Sequence, residues 1–280
     1  MDENLDRRVF VAFDIETTGL QPIMNRTLEL SAVKFTTSGR ILGEFDELIN
    51  PGIPIPEAAS KVNKIYEEDI RNKSRATEIL KGFSEFLDGC GSEVILLAHN
   101  SEFDVGFLGA EYILCNMEPP KVEIWDTLPM SRALVPNIMN HKLSTLVHHF
   151  DFRADGFHRA LVDSYHVHYL FKWFCSQVNS LDELRELANP RYFDQSNELF
   201  SVQLPLPLMK LKKSLASNSR LRFVYEGETG IRETIEVVPH NLFHDEKYSY
   251  ILATRETLGY PQAFRLDRLS RPEIVMESLN

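Results

Sequence analysis

The sequence predicts an α/β fold with a mixed sheet, followed by a small β-barrel. Three observations lead to this fold class. The chain opens with three strand-like runs, and in the first, residues 8–17, every second side chain from Val9 to Ile15 is apolar. Helical and strand-like segments then alternate. The chain ends with short runs typical of strands, separated by glycine, asparagine, histidine and proline.

The elements of the first part follow the order of an α/β protein that begins with antiparallel strands. Ser38-Gly39 supplies the turn between the second and third strands. The expected elements are strands at 8–17, 28–37 and 41–50, a helix near 76–88, a strand at 94–98, a helix near 102–116, a strand at 122–126, and helices near 143–150 and 159–176.

Two domains joined by a linker are expected, because 280 residues are many for one domain and comfortable for two. The periodic pattern weakens over residues 177–204, where QLPLPLM contributes prolines that suit a linker. A short basic helix near 207–217 and four or five strands follow, starting at LRFVYEG. We therefore place the first domain at 8–176 and the barrel at 205–276.

The composition is that of a globular protein, with 43% hydrophobic and 25% charged residues. No apolar run approaches membrane-spanning length, and the first residues resemble neither a secretory signal nor a transit peptide. The three cysteines have no close pair, which argues against a disulfide framework or a thiolate zinc site. We expect a cytoplasmic protein that makes no membrane contact.

The net charge of −11 is unevenly distributed along the chain. Residues 1–204 hold 31 acidic against 19 basic residues, whereas 205–280 hold 10 against 11. A broad basic surface, as in many proteins that grip nucleic-acid backbones, is therefore not indicated in the first domain.

Four acids and one histidine form the candidate site. Asp14 and Glu16 point to the same face of their strand because strand periodicity is two. Carboxylate oxygens suit Mg²⁺ or Mn²⁺, although a solvated strand end explains this pair equally well. Asp104 follows the point where a strand ends and a helix begins. Asp163 comes five residues after His158, about 140° around a helix, so His158 is expected in the loop ahead of that helix.

Together these residues match the needs of two-metal phosphodiester hydrolysis, in which acids hold two cations about 4 Å apart and a base takes a proton from water. The runs that contain them resemble the three motifs of the DEDDh family of 3′→5′ exonucleases, the group of proofreading polymerase subunits and ribonuclease T. The likeness covers about residues 8–176. The motif runs are FDIETTG, HNSEFDVGFL and HRALVDS, with IWDTLPMSRAL and HKLSTLVHHF similar to the family's connecting segments.

The resemblance implies a ribonuclease H-like fold and a role for each motif residue. Asp14, which bridges both ions, would hold two Mg²⁺ or Mn²⁺ ions together with Glu16, Asp104 and Asp163. His158 would be the general base, since its ordinary pKa near 6.5 suits that task. The positions implied to contact substrate are Thr17 and Leu20, at the terminal nucleotide, and His99, Asn100 and Phe103, along the same cleft. For Phe103 the alternative is a role in the hydrophobic core.

Other polar residues in the motif region have simpler interpretations. Asp126 follows a strand and is best explained as the cap of the next helix. Five histidines lack zinc spacing and are expected at the surface or in helix packing: His141, His148, His149, His166 and His168.

The C-terminal runs resemble a WYL-type module over about 205–276, a family of small Sm- or SH3-like barrels associated with bacterial regulators that sense ligands or nucleic acid. Ser249 stands where the name-giving tryptophan is expected, so shared ligand chemistry does not follow. Arg265 and Arg268 flank Asp267 and suit a phosphate or nucleotide ligand. An Arg–Asp network that closes the barrel is the alternative.

The sequence thus favours an exonuclease acting on single-stranded 3′ ends of DNA or RNA and held to them chiefly through the metals and the terminal nucleotide. A stand-alone nuclease is favoured because a whole barrel follows the first domain. A polymerase proofreading subunit, an RNA-trimming enzyme and a non-catalytic nucleic-acid-binding regulator are the alternatives. DNA or RNA preference, the tail's ligand and the oligomeric state, for which a homodimer is one candidate, stay open.

Overall fold

The structure, a computed structural model, divides into two compact units, Met1–Ser196 and Asn197–Asn280. None of the helices in the described part of the chain combines the length and hydropathy needed to cross a membrane. The described residues are 8–22, 24–88, 93–152, 159–192, 202–217, 219–227, 229–244, 247–255 and 257–275.

The first unit is built on a six-stranded mixed sheet, as the sequence predicts. β1 lies between antiparallel β2 and parallel β4, β4 also pairs in parallel with β5, and β3 and β6 are antiparallel edge strands. The order across the sheet is β3-β2-β1-β4-β5-β6. The strands are β1 Val9–Thr17, β2 Thr27–Thr36, β3 Ile41–Leu48, β4 Val94–Ala98, β5 Glu123–Asp126 and β6 Arg191–Tyr192.

Eight α-helices are described in this unit, and those expected near 76–88, 102–116, 143–150 and 159–176 are among them. The helices are α1 Glu57–Asn63, α2 Glu67–Ile70, α3 Ala76–Asp88, α4 Glu102–Leu114, α5 Thr127–Leu134, α6 Leu143–His149, α7 Ala160–Gln177 and α8 Leu181–Leu187.

Helices cover both faces of the sheet because alternate β1 side chains enter two different cores. Val11 and Phe13 face the core shared with α3 and α4. Phe10 faces the opposite core, where its ring lies 4.5 Å from that of Phe171 of α7, measured between centroids. Even-numbered β1 residues therefore point to the α7 side, which fixes the direction of the acids farther along the strand.

The region expected to be a linker, 177–204, differs from the prediction because part of it is ordered secondary structure. It contains α8 and β6, and β6 extends the main sheet through its pairing with β5. Leu184 and Ala188 are fully buried in the α7-side core. The apolar residues Leu181, Leu184 and Ala188 have helical spacing and pack in the α7-side core.

The described part of the second unit contains one α-helix and a five-stranded antiparallel sheet in the order β10-β9-β8-β7-β11. The long β8 pairs with β7 through its first half and with β9 through its second, with a shift between Pro239 and Asn241. Within the described residues β10 and β11 are the two edges of an open sheet, so the Sm- or SH3-like barrel stays a prediction. The elements are α9 Met209–Ala216, β7 Leu221–Glu226, β8 Arg232–His244, β9 Ser249–Thr254, β10 Pro261–Arg265 and β11 Leu269–Ile274.

Candidate active site

The strand β1 carries Asp14 and Glu16 past the end of its pairing with β4, whose last partners are Ala12 and Leu97. Both acids lie on the α7 side of the sheet, because they continue the alternation of the even-numbered residues. Both are partly buried. The paired carboxylates predicted from the strand period are therefore directed towards the start of α7.

The helix α7 supplies the third acid. Asp163 lies in its first turn, on the face that also buries Val167 and Leu170 against the sheet. Carboxylate oxygens of Asp14, Glu16 and Asp163 all lie within 4.8 Å of one another. Two elements distant in the sequence thus bring three acids to one point.

The fourth acid, Asp104, lies in the first turn of α4 beside β1. It is buried, and its Oδ1 accepts a hydrogen bond from the backbone N–H of Ile15 at 3.2 Å, between the two β1 acids. Asp104 is thereby held against the strand next to the cluster, although it is not one of the three acids whose oxygens meet within 4.8 Å.

Asp126, at the end of β5, fixes the loop that leads into α4. As predicted, it caps a helix, with its carboxylate accepting from the N–H of Leu128 at 2.8 Å. The same carboxylate accepts from the N–H groups of Asn100 and Ser101, each at 2.9 Å. One side chain therefore sets both the start of α5 and the approach to Asp104.

The electrostatics of the cluster disfavour negative charge. Burial is the main cause that raises the pKa of Asp14 well above its ordinary value, and the charges of Asp104 and Asp163 add to it. Burial, then the charges of Glu29 and Asp163, raise the pKa of Glu16 to about 8. Burial likewise raises the pKa of Asp104 to about 8. Such crowding of carboxylates is relieved by protons or by bound cations.

These donors fit divalent metal ions of the magnesium type. The donors are all carboxylate oxygens, which Mg²⁺ and Mn²⁺ prefer, and they come from rigid elements. Among the described residues, no lysine or arginine ion pair is formed by Asp14, Glu16 or Asp104. The oxygens of these three acids are therefore not neutralised by a basic side chain of the described residues.

Sequence reasoning missed Glu29 of β2, which lies opposite Glu16 in the β1–β2 register. Its carboxylate is buried and accepts hydrogen bonds from Arg159 and from the N–H of Ala160, where α7 begins. A single acid within the apolar run of β2 was the available signal. The register that places it beside the site cannot be read from either strand alone.

The predicted base, His158, lies outside the described residues, which resume at Arg159. Among the described residues, another histidine contacts the cluster: Nδ1 of His166 lies 3.3 Å from Oδ1 of Asp163. Its spacing of three residues on one helix was the signal for this contact. The expected packing role of His166 on α7 is compatible with its full burial.

The residues expected to contact substrate fall into two groups, those that are exposed and those that are buried or already contact other protein groups. Leu20 has 81% of its surface exposed and Asn100 is also exposed, so both are available to a ligand. Thr17 is buried, and Phe103 packs against Phe107 with ring centroids 4.9 Å apart. Both ring nitrogens of His99 have protein partners, Thr127 Oγ1 at 3.0 Å and His141 O at 2.7 Å.

In the second unit, Arg265 belongs to the Arg–Asp network that was the alternative to ligand binding. Its guanidinium donates to Asp267 at 2.6 and 3.0 Å and stacks 3.4 Å from the centre of the Tyr248 ring. The hydrogen bonds from Arg265 lower the pKa of Asp267. The strand expected to present both arginines is interrupted, because Leu266–Arg268 forms a 3-10 turn that carries Arg268.

Comparisons with known proteins match this architecture. The family model described as Exonuclease (RNase_T) matches residues 11–171, and the WYL domain model matches residues 208–274. A DNA polymerase III PolC-type protein of Pediococcus pentosaceus is 35% identical over 192 residues, which are 68% of this chain and 12% of that protein. The DNA polymerase III subunit epsilon of Treponema pallidum is 40% identical over 157 residues, 55% of this chain and 71% of that protein. The chain thus spans only a small part of the PolC-type relative.

Solved structures with the same fold include exonucleases bound to DNA. Exonuclease X in complex with 5′ overhanging duplex DNA is 21% identical, with a TM-score of 0.51 over 65% of this chain and 99% of that chain. Escherichia coli exonuclease I in complex with a dT13 oligonucleotide is 16% identical, with a TM-score of 0.56 over 89% of this chain and 55% of that chain. The chain belongs to the RNase T family of exonucleases and carries a WYL domain after its exonuclease domain.

Proposed function

We propose that this protein is a metal-dependent 3′→5′ exonuclease that removes nucleoside 5′-monophosphates from single-stranded 3′ ends of DNA or RNA. The observation that carries the proposal is the meeting of Asp14, Glu16 and Asp163 oxygens within 4.8 Å, beside the buried Asp104. A surface patch of acids without a function does not require one strand and two helices to converge on it.

Two Mg²⁺ or Mn²⁺ ions would be held by Asp14, Glu16, Asp104 and Asp163, with Asp14 shared between them. When bound, such ions lower the pKa of water and offset the charge that develops on phosphate oxygens. The chain's own acids fix where this charge is offset, because β1, α4 and α7 hold them from three directions.

The remaining roles belong to residues that handle water and substrate. His158 would accept at a ring nitrogen the proton of the attacking water. Leu20 would pack against the 3′-terminal nucleotide with Thr17 behind it, and Asn100 and Phe103 would line the path of the strand. His99 would act by holding the loop before α4, since both of its ring nitrogens already have protein partners.

A proofreading role is the second candidate, and the similarity to the Treponema pallidum epsilon subunit favours it. A stand-alone nuclease in DNA repair or RNA trimming is the version we favour, because a WYL domain follows the catalytic unit. In that version the second unit positions substrate or regulates cutting, with Arg265 and Arg268 as candidate contacts to a nucleotide or nucleic acid. Cytoplasmic location and a homodimer belong to the same proposal.

Digestion of matched 5′-labelled single-stranded DNA and RNA tests the proposal. Wild-type protein with Mn²⁺ or Mg²⁺ should give a ladder that shortens from the 3′ end, and EDTA or the Asp14→Ala substitution should abolish it. The faster substrate identifies the nucleic acid that the pocket prefers. If wild-type protein binds both strands and cuts neither with any divalent metal, the non-catalytic binding role replaces the enzyme.

A further inference from the structure

The contacts at the start of α7 assign a role to a fifth carboxylate. We propose that Glu29 is a positioning residue for hydrolysis: together with Arg159 it clamps the first turn of α7 to β2 and so sets Asp163 against Asp14 and Glu16. This inference rests on the proposed exonuclease function. Glu29 itself would touch neither substrate nor metal.

The clamp has four hydrogen bonds, one of them a longer contact of 3.3 Å from Nε of Arg159 to Oε2 of Glu29. Arg159 donates to Oε1 of Glu29 from Nη2 at 2.7 Å and from Nε at 3.1 Å. The backbone N–H of Ala160 donates to Oε2 at 3.0 Å. Both carboxylate oxygens therefore accept hydrogen bonds from the residues where α7 begins, the N-cap Arg159 and the first helical residue Ala160. These residues lie four and three positions before Asp163.

A second contact one helical turn later fixes the helix in the same register. The hydroxyl of Ser164 donates to the backbone carbonyl of Ser31 at 3.1 Å. Ser31 lies two residues after Glu29 on β2, on the same face. Two contacts along one strand hold α7 against both sliding and rotation, and Asp163 lies between them.

Charge explains why an arginine is used. Glu29 has only 1% of its side chain exposed and lies opposite Glu16, where its charge helps to raise the pKa of Glu16. Arg159 acts on Glu16 in the opposite direction. The pair therefore fixes the helix without adding the charge of an unpaired Glu29 to the cluster.

The chain offers a matched control. Glu123 has 8% of its side chain exposed and accepts from two nitrogens of Arg185, which is 43% exposed against 49% for Arg159. Glu123 lies at the start of β5, whereas the end of β5 approaches the site. Its pair thus repeats the chemistry of the clamp at the opposite end of the sheet.

The experiment compares full-length Glu29→Gln and Glu123→Gln in three measurements. These are kcat and KM on a 5′-labelled single strand, Mn²⁺ binding by calorimetry without nucleic acid, and thermal unfolding in EDTA. We expect both variants to lose thermal stability. Only Glu29→Gln should lower kcat, by about 10- to 100-fold, with KM unchanged and Mn²⁺ binding weakened by about tenfold or more, the range found when residues that orient metal ligands are changed.

Substitutions of the arginine provide a second arm. Arg159→Lys keeps the positive charge but replaces the planar guanidinium with a single ammonium nitrogen, whereas Arg159→Gln removes the charge. Arg159→Lys should therefore retain more of the wild-type kcat than Arg159→Gln. This order supports a clamp that depends on pairing with Glu29 rather than on side-chain volume.

Two results would overturn the inference: wild-type kcat and Mn²⁺ binding in Glu29→Gln, or losses in Glu123→Gln equal to those in Glu29→Gln. Failure of the proposed function is a separate result, seen as wild-type protein that cuts no strand. In that event the Mn²⁺ titrations still decide the clamp, because equal affinity in wild type and Glu29→Gln refutes it without any reference to cutting.

Discussion

Neutralising Glu16 should make the metal-free protein more stable while removing its function. Burial and neighbouring acids raise the pKa of Glu16 from 4.5 to about 8. A carboxyl group whose pKa is higher in the folded state binds more protons when folded than when unfolded. The free energy of unfolding therefore falls as the pH rises from about 4.5 to about 8, and Glu16→Gln removes that loss.

The size of the effect follows from the two pKa values. At about pH 7.5 the shift costs up to about 4 kcal/mol, at 1.36 kcal/mol for each pKa unit. Water reaches a partly buried carboxylate and screens the charges around it, so we expect about 1–3 kcal/mol. For a unit of this size that corresponds to a rise in melting temperature of roughly 2–12 °C.

Thermal unfolding in EDTA at about pH 7.5 and about pH 5 measures this effect. Glu16→Gln should melt above wild type at the higher pH, and the difference should shrink at the lower pH. Mn²⁺ should then raise the melting temperature of wild type more than that of the variant. Glu123→Gln is the control, and it should melt below wild type at both pH values because Arg185 loses its charged partner.

The reasoning is refuted if Glu16→Gln melts below wild type in EDTA at about pH 7.5, as the control does. That outcome would mean that contacts within the protein stabilise the Glu16 carboxylate, so that its charge does not destabilise the metal-free fold.

Three further outcomes are expected. Glu111→Ala should lower the free energy of unfolding by about 3–5 kcal/mol in a urea titration, because it leaves Arg26 buried and unpaired. Asp126→Ala should lower it by about 2–4 kcal/mol and also reduce kcat, since the helix cap and the loop before α4 are lost together; denaturation and a rate assay check both. Truncation after Ser196 should leave a folded first unit that still shortens a labelled strand. A ladder assay measures this, and loss of cutting would mean that the second unit is needed for catalysis.

The elements that the sequence predicted well are those whose signal is local. Strand period two is a property of the backbone, so the shared direction of Asp14 and Glu16 was fixed before any tertiary contact was known. The helix at 76–88 and the strand at 94–98 have the predicted bounds, because each is a continuous run of clear periodicity or burial.

The short helices could not be predicted in the same way. Helices α5 and α8 have eight and seven residues, below the length at which a helix is stable alone. Burial of Met130 and Leu184 stabilises them, and both depend on a sheet assembled from distant segments. The segment does carry a local signal, because Ser180 caps α8 through the N–H of Glu183, but the core that buries the helix is formed by other parts of the chain.

For the candidate site, the sequence names a set of residues but does not give their arrangement. The motif order named Asp14, Glu16, Asp104 and Asp163, and their geometry is compatible with the roles expected of them. The contribution of Glu29 depends on the register between β1 and β2, which is set by side-chain packing over the whole sheet.

Arginine partners divide the buried acids of the first unit into two classes. Glu29, Glu111 and Glu123 each accept at least two hydrogen bonds from one arginine and hold elements together. Asp14, Glu16 and Asp104 form no such pair within the described residues, and their pKa values are raised. The arginines neutralise the first three acids, which stabilises the fold. The other three are crowded together, and a cation bound from solvent would offset their charge. On the proposed function, two divalent ions would offset four charges of the acidic excess in residues 1–204 (31 acidic against 19 basic residues) where the phosphate lies, and the rest is surface acidity.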